Sequence, residues 1–123
     1  MIQHSFDAEH AILYVRPRSA LEKSDFEALA RIVDPYITAS GGLAGLVLEV
    51  GSFPGWESLG AMAAHMRFVR DHHRQIRRIG VVTDSPLGKL AEQLASHFVA
   101  AEIRHFPAGQ RDAATQWITG GTA

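Results

Sequence analysis

Two short runs rich in β-branched and aromatic residues, at positions 2–6 and 11–16, are separated by the polar stretch Asp7-Ala8-Glu9-His10. They predict a β-hairpin at one edge of a sheet, with Pro17 ending the second strand. The period then changes from two to between three and four. Phe26, Leu29, Ala30, Val33 and Ile37 fall on one face of a helix. Ser24-Asp25-Phe26-Glu27 reads as its capping box and Gly41-Gly42 as its end. Pro35 lies inside this pattern, where its ring would clash with the carbonyl of Arg31, so a kink or a break is expected there. GLVLEV, residues 45–50, is nearly continuous in apolar character and suits a central strand covered on both faces. A glycine-containing loop leads to a helical pattern from Glu57, and residues 79–83 give a second buried strand. Ser85-Pro86 opens a further helix with a cap and a proline in its first turn. Residues 101–106 read as the last strand and 112–118 as a closing helix. The order β-β-α-β-α-β-α-β-α predicts an α/β fold: a mostly parallel sheet with an antiparallel N-terminal hairpin at its edge and helices on its faces. With no internal repeat and no linker, residues 1–123 read as a single domain.

Composition supports that architecture and removes several chemistries. A chain of 123 residues with 46% apolar and 20% charged residues can bury a core without a metal or disulfide. Twelve basic and thirteen acidic residues leave a net charge of -1, so the field that drives non-specific nucleic-acid binding is missing overall. There is no cysteine, hence no disulfide framework, no thiolate nucleophile and no sulfur-ligated zinc. The N-terminus lacks the basic and apolar segments of a leader, and no apolar run is long enough to span a bilayer. A cytoplasmic protein without a cofactor is the expectation.

The segment HMRFVRDHHRQIRRIGVV, residues 65–82, concentrates histidine and arginine. At 100° per residue, Leu59, Met62, Met66, Val69, His73 and Ile76 form one seam, and this seam is expected to face the sheet. His73 then lies at the core boundary and His72 points away from it. His65 and His72 are two turns apart, ~10 Å of rise, too far for shared ligation, so no metal site is expected. Arg67, Arg70, Arg74, Arg77 and Arg78 read as a solvated cluster that offsets the negative end of the helix dipole. With neither aromatic interleaving nor a nucleic-acid module, they do not point to RNA or DNA. The opposite face carries Ala61, Ala64, His65, Phe68 and His72. A homodimer partner covering Phe68 is the expectation for that face, and a lone exposed aromatic is the alternative.

In open α/β sheets, ligands gather beyond the carboxyl ends of parallel strands. Here that rim comprises the loop GSFPGW and Thr83-Asp84-Ser85, joined by Arg16 and Arg18 if the second hairpin strand points the same way. Phe53 and Trp56 would offer an apolar wall, and the arginines and helix amides an anionic head-group site, which suits an amphipathic, lipid-like ligand. The plainer alternative is that the aromatics plug the edge of the core and Asp84-Ser85 only cap a helix. No serine has a nucleophile-elbow context, and neither a glycine-rich phosphate loop nor a carboxylate pair of useful spacing is present, so catalysis is not expected. A closed apolar cavity at the rim would favour lipid binding, and an open surface would favour protein interaction.

The stretch GLVLEVGSFPGWESLGAMAAHMRFVRDHHRQIRRIGVVTDS resembles the SpoIIAA-like branch of the STAS proteins, which overlaps in description with SEC14 or CRAL-TRIO-type lipid-binding folds. The resemblance covers nearly the whole chain. It rests on the element order, the F-x-x-x-W-E segment, the R-F-V-R-D-H-H block and the late E-I-R-H-F strand. It implies a STAS-like domain. Anti-sigma-factor antagonists of this type carry a phosphorylated serine in an acidic-Ser-Ser-Gly turn, and Glu57-Ser58-Leu59-Gly60 stands in that place. Glu57 keeps the acid, Ser58 takes the switch position, and Leu59 replaces the second serine. The resemblance therefore implies a regulatory protein-interaction domain as the alternative to a ligand-binding module.

Overall fold

The fold is a computed structural model that describes residues 1–86, 92–93 and 99–120. Strand β1 (Ile2–Asp7) pairs antiparallel with β2 (Ile12–Pro17) through the expected hairpin. The next strands, β3 (Leu43–Glu49), β4 (Ile76–Val82) and β5 (Glu102–Phe106), add in parallel, so the sheet order follows the chain, β1-β2-β3-β4-β5. The two near-continuous apolar runs thus occupy interior strands, as their lack of alternation requires.

One face of the sheet carries Leu13, Val15, Leu46, Leu48 and Ile79 against Leu29, Val33 and Ile37 of helix α1 (Lys23–Ser40), with Leu43 and Ile76 in the same cluster. The other carries Ile12, Val47, Val82 and Phe106 against Ala114, Trp117 and Ile118 of the last helix, α3 (Arg111–Ile118). Two strand glycines let α3 approach. A Cβ on Gly45 would fall 2.4 Å from the Ile118 side chain, and one on Gly80 would fall 3.1 Å from Ala114. Arg78 is not part of a solvated cluster. It stretches over the Trp117 ring, donates to the Trp117 carbonyl and pairs with Glu102, tying β4 and β5 to α3.

Helix α1 begins two residues before its expected box. Glu22 is the N-cap, and its N–H donates to Asp25 Oδ2 at 2.8 Å. Asp25 also accepts from the Ile2 N–H and pairs with the N-terminal amine, so an acid shared with the hairpin outcompetes Ser24 for the cap. The helix runs unbroken through Pro35 to Gly41, whose φ of 93° closes it. Pro35 and Arg31 are both exposed, so the carbonyl deprived of its helical partner faces water.

Helix α2 (Leu59–His72), followed by a 3-10 turn (His73–Gln75), reverses the expected orientation. Ala61, Ala64 and His72 are buried, while Leu59 is 81% and Met66 50% exposed. Phe68 packs with Phe26 and Ala64, and His65 stacks on Phe26 at 4.8 Å. The small residues face inward because α2 lies beside α1, and a close approach of two helices needs alanines at the contact rather than leucine and methionine. The face expected to form a dimer contact is therefore part of the core. His72, expected at the surface, is held by the Phe68 carbonyl on Nδ1 and by Asp34 Oδ1 on Nε2, each at 2.7 Å. His73 sits at the core boundary as expected, its Nδ1 accepting from the Ala100 N–H. Pro86 and residues 92–93 are helical, and the rest of the helix expected after Ser85-Pro86 lies outside the described residues.

Candidate functional site

The carboxyl ends of β2, β3 and β4 meet at one rim, which holds two different surfaces rather than one pocket. On the α3 side, an open depression of about 220 Å³ is lined by Arg16, Arg18, Glu49, Gly51, Val82 and Gly109. It adjoins a second of about 160 Å³, which shares Arg16 and Glu49 and adds Ser5, Tyr14 and Arg111. Three of the charges in this groove, Arg16, Glu49 and Arg111, are engaged within the chain. Arg16 donates to Glu49 at 2.8 Å, and Arg111 lies 4.3 Å over the Tyr14 ring, whose hydroxyl bonds Thr115. The groove is shallow and open, and neither Phe53 nor Trp56 lines it.

An apolar wall was expected from Phe53 and Trp56, and these side chains lie on the α1–α2 side instead. A parallel bridge between Leu21 and Trp56 turns the loop that way, with the Leu21 N–H donating to Gly55 O and the Glu57 N–H to Leu21 O. Trp56 donates its indole N–H to His65 Nδ1 at 3.1 Å, and Phe53 packs edge-on against Trp56. Accepting at Nδ1 leaves the proton of a neutral His65 on Nε2. Burial pushes this imidazole below its ordinary value. Thr83, Asp84 and Ser85 shape the rim itself. Thr83 is buried, its Oγ1 accepts from the Ser85 N–H, and Asp84 Oδ1 accepts from the Ala108 N–H. The seven residues expected to share one ligand are thus divided between an open groove, a structural turn and an aromatic pair. His105 reaches the same turn, its Nε2 bonding the Thr83 carbonyl at 2.6 Å.

Around the head of α2, large apolar side chains gather at the surface. Among the described residues, five large hydrophobic side chains are exposed, and four of them, Phe53, Trp56, Leu59 and Met66, fall within 14 residues of sequence. Clustering of this kind is the informative feature, since single exposed apolar residues are ordinary. Ser58 lies in its midst as an exposed N-cap, with its Oγ accepting from the Ala61 N–H at 3.0 Å. Beside it Glu57 meets Glu22, and the hydrogen bond and charge of Glu22 raise the Glu57 carboxyl above its ordinary value. Sequence reasoning missed this surface because it sent the larger apolar residues inward. The signal available was the 61-64-68-72 spacing of small and ring residues, which matches a helix–helix contact.

The hairpin turn brings Asp7, Glu9 and His10 together, with ligand atoms within 4.8 Å of one another. Sequence reading passed over this group. Its geometry is accounted for by the Asp7 carboxylate, which accepts from the His10 N–H and bonds His10 Nδ1 at 2.8 Å. Each of these side chains thereby favours the charged form of the other, lowering Asp7 and raising His10. Among the described residues, no helix is long and apolar enough to cross a membrane.

Comparison with known proteins places this geometry in a wider setting. The sequence profile described as SpoIIAA-like matches residues 12–119. No curated protein matches the chain. Among solved structures, it is similar to an uncharacterized protein with a SpoIIAA-like fold from Shewanella loihica PV-4, at 17% identity and a TM-score of 0.74, over 96% of this chain and 92% of that one.

Proposed function

The chain belongs to the SpoIIAA-like family, and from that premise we propose that it is a non-enzymatic, single-domain binding module acting through protein contact at the head of α2. The observation that carries this reading is the exposed cluster of Phe53, Trp56, Leu59 and Met66. A small amphipathic ligand would need the aromatics and arginines to face one another, whereas Phe53 and Trp56 line one side of the rim and Arg16 and Arg18 the other. Docking of a protein surface needs no enclosed cavity, only an apolar centre with a polar margin. Ser58 supports a regulated contact. It is exposed at the start of a helix, where amides and dipole accept a phosphate, and it stands within the apolar cluster, so a phosphate there would alter docking directly.

Photo-crosslinking in cells tests the reading. A benzophenone side chain in place of Leu59 is expected to give a discrete protein adduct identified by its peptides, and the same probe in place of Thr38, on the exposed face of α1, to give none. Ser58→Asp is expected to reduce the Leu59 adduct. Equal labelling at both positions, or an adduct with lipid alone, would count against the proposal.

A further inference from the structure

The surface at the head of α2 continues along the outer face of that helix, and its charges are arranged by sign. At the N-terminal end stand Glu57 and Glu22, two carboxylates brought together by the Leu21–Trp56 bridge. Neither has a basic partner among the described ion pairs. At the C-terminal end stand Arg67, Arg70 and Arg74, all exposed. Arg70 uses its Nε on Asp71 at 2.9 Å, which leaves the rest of its guanidinium fork for another acceptor. Between the two ends lie the exposed Leu59 and Met66 and the half-buried Met62, at spacings of three and four.

We propose that the partner of this face is a second copy of the chain, with the two α2 helices packed antiparallel about a two-fold axis near the level of residues 62–66. This rests on the reading of the α2 head as a protein-docking surface. A two-fold contact is self-complementary, so the surface must supply both halves of every interaction. A helix with acids at one end, bases at the other and an apolar stripe between them meets that condition when turned against itself. At 1.5 Å of rise per residue, an axis at the level of residue 64 sets Arg70 of one copy about 9 Å along the helix from the axis and Leu59, the first helical residue of the other, about 7.5 Å, so Arg70 comes level with the turn that carries Glu57. Leu59 and Met66 then cover one another's exposed surface. Glu57, raised by its hydrogen bond to Glu22 and by the charge of that neighbour, gains a cationic partner in the incoming arginine. An unrelated partner would have to supply basic and acidic ends in this same order, whereas a second copy carries both. A contact of one helix per copy lies at the small end of interface sizes, so the dimer is expected to be weak and concentration-dependent.

Sedimentation equilibrium over a broad concentration series tests this, with far-UV circular dichroism confirming that each variant is folded. Wild type is expected to show a reversible monomer–dimer equilibrium, and Met66→Glu to remain monomeric. Glu57→Arg and Arg70→Glu are each expected to weaken association at least about tenfold by opposing like charges. The double variant Glu57→Arg/Arg70→Glu is expected to regain most of that loss. A wild type that is monomeric throughout would overturn the proposal, as would a double variant no tighter than its parents. Neither result bears on the broader docking surface, which the Leu59 crosslink decides through the identity of the adduct.

Discussion

His65 joins three parts of the molecule through one ring. It stacks on Phe26 of α1, accepts from Trp56 of the preceding loop, and is carried by α2. Burial favours the neutral imidazole and depresses it below the ordinary 6.5, and the neutral ring is the form that can accept at Nδ1. In the unfolded chain the same side chain titrates near ~6.5. Below that pH the unfolded state takes up a proton that the folded state refuses, so this residue's contribution is complete at higher pH and declines as the pH falls toward the folded value. His65→Phe keeps the stack and removes the titration. Between about pH 7.5 and 5.5, urea unfolding should therefore lose less stability in the variant than in wild type. Equal slopes would show that His65 is not held neutral. At this scale the sequence was only partly legible. Ser58 declared itself as a helix-start residue, but the choice of Glu22 over Ser24 as the cap of α1 depends on Asp25 meeting the N-terminal strand, a contact 23 positions away in the chain.

Among the elements, strands were read more faithfully than helix faces. Residues 45–50 and 79–83 are apolar on consecutive positions, and consecutive burial has one solution, an interior strand with both faces covered. A helix offers a choice of faces. In α2 the stripe of large apolar residues and the stripe of small residues with Phe68 each satisfied the helical period, and only the presence of α1 alongside decided between them. The break expected at Pro35 does not occur for a related reason, since the cost of a helical proline depends on whether the orphaned carbonyl is wet, and exposure is a tertiary fact. The contact of α3 with the sheet has a sharp requirement that can be checked. Gly45→Ala places a methyl 2.4 Å from Ile118, closer than carbon atoms tolerate, and should lower stability by about 1–3 kcal/mol in urea unfolding. Gly51→Ala, with nothing within 4 Å of the added carbon, is the matched control and should change stability by less than about 0.5 kcal/mol. Similar losses in both would show that the approach of α3 does not govern position 45, since Gly→Ala without a clash is neutral to stabilising.

For the molecule as a whole, element order and hydrophobic runs sufficed for the architecture, because a hairpin followed by strands alternating with helices has few ways to bury its faces. The working surface was less legible. It depends on which side of the rim a six-residue loop turns to, and the Leu21–Trp56 bridge that settles this joins two segments with no shared pattern. The central claim is that α2 turns Ala61 and Ala64 inward and presents Leu59 and Met66 to a partner. Because the chain has no cysteine, single cysteines report this without background. In dilute solution, Leu59→Cys and Met66→Cys should react with a thiol reagent at the rate of a free thiol and slow as protein concentration rises. Ala61→Cys and Ala64→Cys should react only as fast as the protein opens. Rapid labelling at 61 and 64 with protection at 59 and 66 in dilute solution would contradict the account, since it would put the docking surface inside the core.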